Sequence, residues 1–146
     1  MEQRIQIDRL QPEAFKAMYA LEDYLAKSEL SKIHKQLIKI RASQMNGCAF
    51  CIDMHTKEAL KIGESHERIF LLNAWNESNQ FSEEEKVILL ITEEITFIDK
   101  NGLTDRTYNK ALVIFSETYL AQLIMAATVI NAWNRIAIST NKQIQN

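Results

Sequence analysis

Only one proline and three glycines occur among 146 residues. So few chain breakers disfavour a turn-rich β fold and leave room for long helices. Cysteine is also scarce, with two in the chain, which argues against a disulfide-stapled secreted scaffold. The net charge of −2 offers no basic field for nucleic acid. No apolar run approaches the ~18 residues of a membrane span. The longest, Leu120 to Ile130, contains Gln122 and Thr128. The opening residues Met1 to Gln6 carry no apolar stretch of the signal-peptide kind. The expectation is a cytoplasmic protein with no membrane and no nucleic-acid partner.

What is present suits a single all-α domain over residues 1–146, with 47% hydrophobic and 25% charged residues. Phe15, Met18, Leu21 and Leu25 recur at helical spacing after Pro12, which predicts a helix over 12–27. Ser31 predicts the cap of a second helix, stopped by Asn46-Gly47. A third is predicted from near Cys48 to about Ile62, with Gly63 just beyond it. Ser65 opens a shorter one carrying Ile69, Leu72 and Trp75. Ser82-Glu83-Glu84-Glu85 has the capping-box pattern, and its helix is predicted to end near Asn101-Gly102. Thr104 caps the next, through about Phe115, and Ser116 opens the last. The tail 141–146 is polar and expected to fray. Asn-Ala-Trp-Asn occurs at 73–76 and 131–134, without a common repeat period.

The chemistry concentrates in Cys48-Ala49-Phe50-Cys51, followed by His55. Residues three and four apart share a helix face, so Cys51 lies between Cys48 and His55. A helix start favours an anion, and the thiolate is the reactive form of cysteine. A free thiol, with a pKa of about 8.5, is little ionised at neutral pH, and a nearby imidazole can take its proton. A thiolate that attacks a peroxide becomes a sulfenic acid, which a second thiol condenses to a disulfide. Helical Cβ atoms at this spacing lie about 5–6 Å apart, whereas a disulfide wants about 3.8 Å. Closure therefore needs some distortion, easiest in a first turn after Asn46-Gly47. Two rival readings remain: a zinc site of Cys48, Cys51, His55 and His66, whose spacing departs from the finger pattern, and two inert buried cysteines beside a solvated histidine. Neither reading predicts redox turnover.

The segment Gln36 to Ala59, with Arg41 to His55 most specific, closely resembles the AhpD-like alkylhydroperoxidases of the carboxymuconolactone decarboxylase superfamily. Gly63-Glu64, Arg68, Asn73-Ala-Trp75 and Asn131-Ala-Trp-Asn-Arg135 extend the resemblance. It implies a compact helical fold of about six or seven helices, assembled as a homo-oligomer such as a trimer or hexamer. It implies reduction of alkyl hydroperoxides through a dithiol–disulfide cycle, with no tightly bound cofactor and no metal. A lipoyl group or another dithiol would return the electrons. By the family's scheme Cys51 attacks peroxide, Cys48 resolves and His55 joins a proton relay. Position alone would instead favour Cys48, nearest the helix end, as the more acidic thiol.

Two departures stand out. The family's relay begins with a glutamate twelve residues before the first cysteine, where this chain has Gln36. A carboxamide hydrogen-bonds but is no base near neutral pH. The pattern therefore predicts that Gln36→Glu raises the rate. Phe50 stands where some members carry histidine.

Several other residues have blander readings. His34 and His66 are expected to be solvated, and Trp75 and Trp133 to pack. Asn73 and Asn131 are expected to bond backbone at helix crossings. Met45 and Met54 line a pocket or fill core, Glu83-Glu84-Glu85 is helix-start charge, and Arg41 is a candidate oligomer or substrate contact. Two other functions stay open: a redox-sensing module with little turnover, and a lactone decarboxylase-like enzyme, which needs no C-x-x-C.

Overall fold

Hydroxyl side chains start five of the helices. Ser31, Ser65, Ser82, Thr104 and Ser116 each accept the backbone N–H three residues on, at 3.0–3.3 Å. Each such cap is worth about 1 kcal/mol. At Ser82 the box is complete, because the Glu85 carboxylate accepts the Ser82 N–H at 2.8 Å.

The computed structural model describes residues 2 and 4–144. Among these it contains eight α-helices, one 3-10 turn and no strand. They are α1 (Ile7–Leu10), α2 (Pro12–Ala26), α3 (Lys32–Asn46), α4 (Ala49–Lys61) and α5 (His66–Leu71), with the 3-10 turn Leu72–Ala74. Then follow α6 (Glu83–Thr96), α7 (Asp105–Ile114) and α8 (Glu117–Ser139). The four-residue α1 is the element that periodicity did not announce. Helix α6 ends at Thr96, short of the expected Asn101. Phe97 already leaves helical dihedrals, and turns lead to Gly102 at φ +60°. Of the polar tail, the last two positions lie outside the described residues, as do Met1 and Gln3 of the opening segment.

Helix α3 is the axis of the packing, against α4, α6 and α8. Its Ile38 and Ala42 join one buried cluster with Val87, Ile88 and Ile91 of α6 and Leu123, Ala127 and Ile130 of α8. Its Leu37 and Ile40 join a second cluster with Ala59 of α4, Leu72, Trp75 and Leu89. Full burial of one such leucine or isoleucine stabilises by about 1.5–3 kcal/mol, so both faces hold α3 in place. Helix α4 is thereby fixed against α3, and α2 closes over α8.

The two Asn-Ala-Trp-Asn segments differ in structure. The first falls on the 3-10 turn and the second inside α8. Asn73 is exposed. Asn131 bonds the backbone of its own helix at Ala127 and the Thr96 hydroxyl. His34 corrects its expectation: it is half-buried, and its Nδ1 lies 2.7 Å from the Tyr119 hydroxyl. A residue of the distant α8 covers it. His66 is exposed, as read from its polar surroundings. Trp75 is buried and packs, with its indole N–H donating to Glu93 at 2.6 Å.

Candidate active site

The turn from α3 into α4 sets the position of both sulfurs. Gly47 ends α3 at φ +69°, a left-handed conformation that favours glycine. The Cys48 N–H then reaches back to the Ser43 carbonyl at 3.0 Å. Asn46 is anchored from α8, donating to Asn131 Oδ1 and Asn134 Oδ1 at 2.9 Å each. Asn134 in turn donates to Ser43 Oγ at 2.9 Å.

Cys48 is the N-cap of α4 and has extended, not helical, dihedrals. That removes the distance problem of two cysteines within one helix. Their Cα atoms are 5.3 Å apart, inside the range a disulfide spans. The two are disulfide-bonded. Both are buried, but only Cys51 lines a cavity.

That cavity holds about 320 Å³ and is largely apolar. Phe50, Met54 and His55 of α4, Phe15 and Tyr19 of α2, and Trp133 and Ile136 of α8 line it. Phe15 and Tyr19 pack on the Trp133 ring at centroid distances of 5.4 and 5.6 Å. The Trp133 indole donates to Glu22 at 3.0 Å, and Glu22 pairs with Lys39 at 2.9 Å. Lys142 also lines the cavity, its Nζ 5.7 Å from the Phe50 ring. Met54 thus lines the cavity, while Met45 does not.

His55 is buried at 4% exposure, which corrects the reading of a solvated histidine beside inert cysteines. Its Nδ1 lies 3.0 Å from Glu58 Oε2. The amide of Gln36, on α3, donates to the same Glu58 oxygen at 3.2 Å. The hydrogen bond from His55 holds the Glu58 carboxyl below its ordinary range, helped by the His55 charge and the Gln36 amide and opposed by burial. Gln36 therefore reaches His55 through Glu58 and does not line the cavity. Sequence reasoning passed over Glu58, although it lies three residues after His55 on the same face.

Among the described residues no three His, Cys, Asp or Glu side chains gather where a metal ion could be held. His66 sits on α5, apart from the Cys48–Cys51 pair. Arg41 bonds Glu93 at 2.7 Å and lines a separate cleft with Trp75 and Lys86. Arg68, which the resemblance marks, braces Glu64 at 2.8 Å and Glu85 at 2.6 Å, away from the cavity.

The carboxymuconolactone decarboxylase family model matches residues 12–94. A protein of Bacillus subtilis (strain 168), uncharacterized protein YdfG, is 43% identical over 139 residues, covering 95% of each chain. The chain belongs to the carboxymuconolactone decarboxylase family. Within the family it is AhpD-like. The crystal structure of ATU0492 from Agrobacterium tumefaciens superposes with a TM-score of 0.95 at 39% identity, over 99% of both chains. That protein is described as of unknown function and as a candidate AhpD antioxidant defence protein. An AhpD-core, peroxidase-related protein from Ralstonia eutropha JMP134 shares the fold alone. It is 13% identical with a TM-score of 0.83, over 95% of this chain and 74% of its own. Among the described residues no helix is long and apolar enough to cross a membrane.

Proposed function

We propose that this family member is a thiol peroxidase that reduces alkyl hydroperoxides through Cys51 and Cys48, with a lipoyl-type dithiol as reductant. The single observation that carries the reading is Cys51 opening into an apolar cavity beside buried His55, while its disulfide partner Cys48 lies outside that cavity. This favours Cys51 over Cys48 as the sulfur that meets substrate. The description of ATU0492 as a candidate antioxidant defence protein is consistent with it.

His55 takes the Cys51 proton, and the thiolate attacks the terminal peroxide oxygen. The O–O bond breaks, Cys51 becomes a sulfenic acid, and the alkoxide leaves as an alcohol with the proton from His55. The Cys48 thiol then displaces the sulfenic hydroxyl, giving water and the Cys48–Cys51 disulfide. A reduced dithiol exchanges with that disulfide, restoring both thiols and leaving oxidised itself. The apolar lining suits the organic part of the substrate, because burying such a tail removes apolar surface from water.

A single-turnover experiment tests this. Reduced protein is mixed with one equivalent of cumene hydroperoxide, and alcohol and disulfide are counted. The reading requires one alcohol per disulfide formed. Disulfide without alcohol, or alcohol in a Cys51→Ser variant, would defeat it. A homo-oligomer is part of the same proposal, and sedimentation velocity tests it: a monomer at micromolar concentration would remove that part.

A further inference from the structure

Gln36 and Glu58 belong to one device. We propose that Glu58 is the positioning carboxylate of His55, and that Gln36 serves as the donor that orients Glu58. The proposal rests on the peroxidase reading for its role in turnover, but its geometry stands apart from that reading.

One carboxylate oxygen receives both partners. Glu58 Oε2 lies 3.0 Å from His55 Nδ1 and 3.2 Å from Gln36 Nε2. With Nε2 toward the carboxylate, the Gln36 amide donates; turned over, it would set oxygen against oxygen. Gln36 Oε1 is buried with no hydrogen-bond partner, so its side-chain oxygen does not fix the amide. The Glu58 contact is what sets it.

The other charged groups around the cavity leave this arrangement intact. Lys39 from α3 is engaged by Glu22 of α2 at 2.9 Å. Asp8 of α1 and Lys142, beyond α8, also line the cavity. Neither is among the hydrogen-bond partners of Glu58 or His55.

The consequence is chemical. A carboxylate that accepts the Nδ1 proton fixes the neutral imidazole as its Nδ1–H form. Nε2 is then the basic nitrogen, and His55 shares the cavity with Cys51, one helical turn before it. After proton transfer the same carboxylate faces an imidazolium, which it stabilises. The residue pattern predicted a gain from Gln36→Glu. The geometry reverses that prediction, because the new carboxylate would stand against Glu58, and like charges that close hold a proton between them.

A swap decides the matter. Four proteins are compared: wild type, Glu58→Gln, Gln36→Glu, and the double variant carrying both changes. At metal-bound histidines the loss of such an orienting carboxylate costs about 10–100-fold, and the same scale is expected for His55. Each single variant is expected to lose about tenfold or more in kcat/KM with cumene hydroperoxide. The double variant removes the clash of two carboxylates but still sets an amide against His55 Nδ1, and is expected to stay near the Glu58→Gln rate. Urea midpoints equal to that of the wild type exclude a failure to fold as the cause, and a double variant restored to the wild-type rate overturns the proposal.

Nitrogen-15 NMR of reduced protein reads the tautomer directly. The Nδ1–H form is expected in wild type, and a shift toward Nε2–H in Glu58→Leu. A Glu58→Gln rate within twofold of wild type, a faster Gln36→Glu, or an unchanged tautomer in Glu58→Leu overturns the proposal. If the wild type turns over no hydroperoxide, the peroxidase reading fails. Glu58 is then decided by the tautomer and by the rate at which iodoacetamide alkylates Cys51 in a Cys48→Ser background.

Discussion

Cys48 caps the helix that carries Cys51. Its Sγ accepts the Cys51 backbone N–H at 3.4 Å, and that same sulfur forms the disulfide with Cys51. One residue thus serves as helix cap and as redox partner. The two roles separate by mutation, because serine is a good cap but forms no disulfide.

Cys48→Ser is expected to fold like the wild type and to stop after one peroxide, with Cys51 held as a sulfenic acid. Cys48→Ala is expected to stop at the same point and also to lose about 1 kcal/mol of stability, the cost of a missing cap. Dimedone trapping with mass spectrometry reads the first effect, and urea melts of reduced protein read the second. Equal melts for the two variants would dismiss the capping role.

Trp133 joins the α2 wall of the cavity to α8 through Phe15 and Tyr19. Trp133→Ala removes apolar contacts that a bulky organic hydroperoxide would use and that hydrogen peroxide would not. Losing part of an apolar pocket is worth about 1–3 kcal/mol in discrimination. The expected result is a KM for cumene hydroperoxide raised roughly tenfold, with hydrogen peroxide kinetics unchanged. An equal change for both substrates would assign Trp133 to folding alone.

Acid should destabilise the fold in two stages. Burial pushes His34 down from its ordinary value of 6.5, against the pull of Glu85 and Glu84. The unfolded chain therefore takes up this proton first, and stability begins to fall as pH drops below about 6.5. Glu58 lies low chiefly through its hydrogen bond with His55. Burial pushes Glu85 up, but Arg68 and the Ser82 N–H outweigh it and leave the carboxyl low. Their contribution is complete above the unfolded carboxylate value of about 4.3 and is lost as pH falls through the lower folded values. Urea midpoints across pH 3 to 8 should show both stages, and His34→Gln should remove only the upper one. A flat midpoint between pH 7 and pH 5 would contradict the His34 assignment.

The parts of the fold that depend on nearby residues were readable in the sequence. Ser31, Ser65, Ser82, Thr104 and Ser116 cap helices because a hydroxyl meets an N–H three residues away, a wholly local event. The spacing of Cys48, Cys51 and His55 is local in the same way. The cavity was not readable, since its walls come from α2 and α8, which meet α4 only in the folded chain. His34 was misread because Tyr119, which covers it, is 85 residues distant. Glu58 lies between these cases. Its spacing from His55 was visible, but its tie to Gln36 exists only where α3 crosses α4.

Steady-state consumption of cumene hydroperoxide with dihydrolipoamide as reductant, wild type beside Cys51→Ser, tests the thiol peroxidase assignment most directly. Turnover is expected in the wild type and none in the variant. A wild type that forms its Cys48–Cys51 disulfide yet consumes no further hydroperoxide would contradict it and leave a redox sensor in its place.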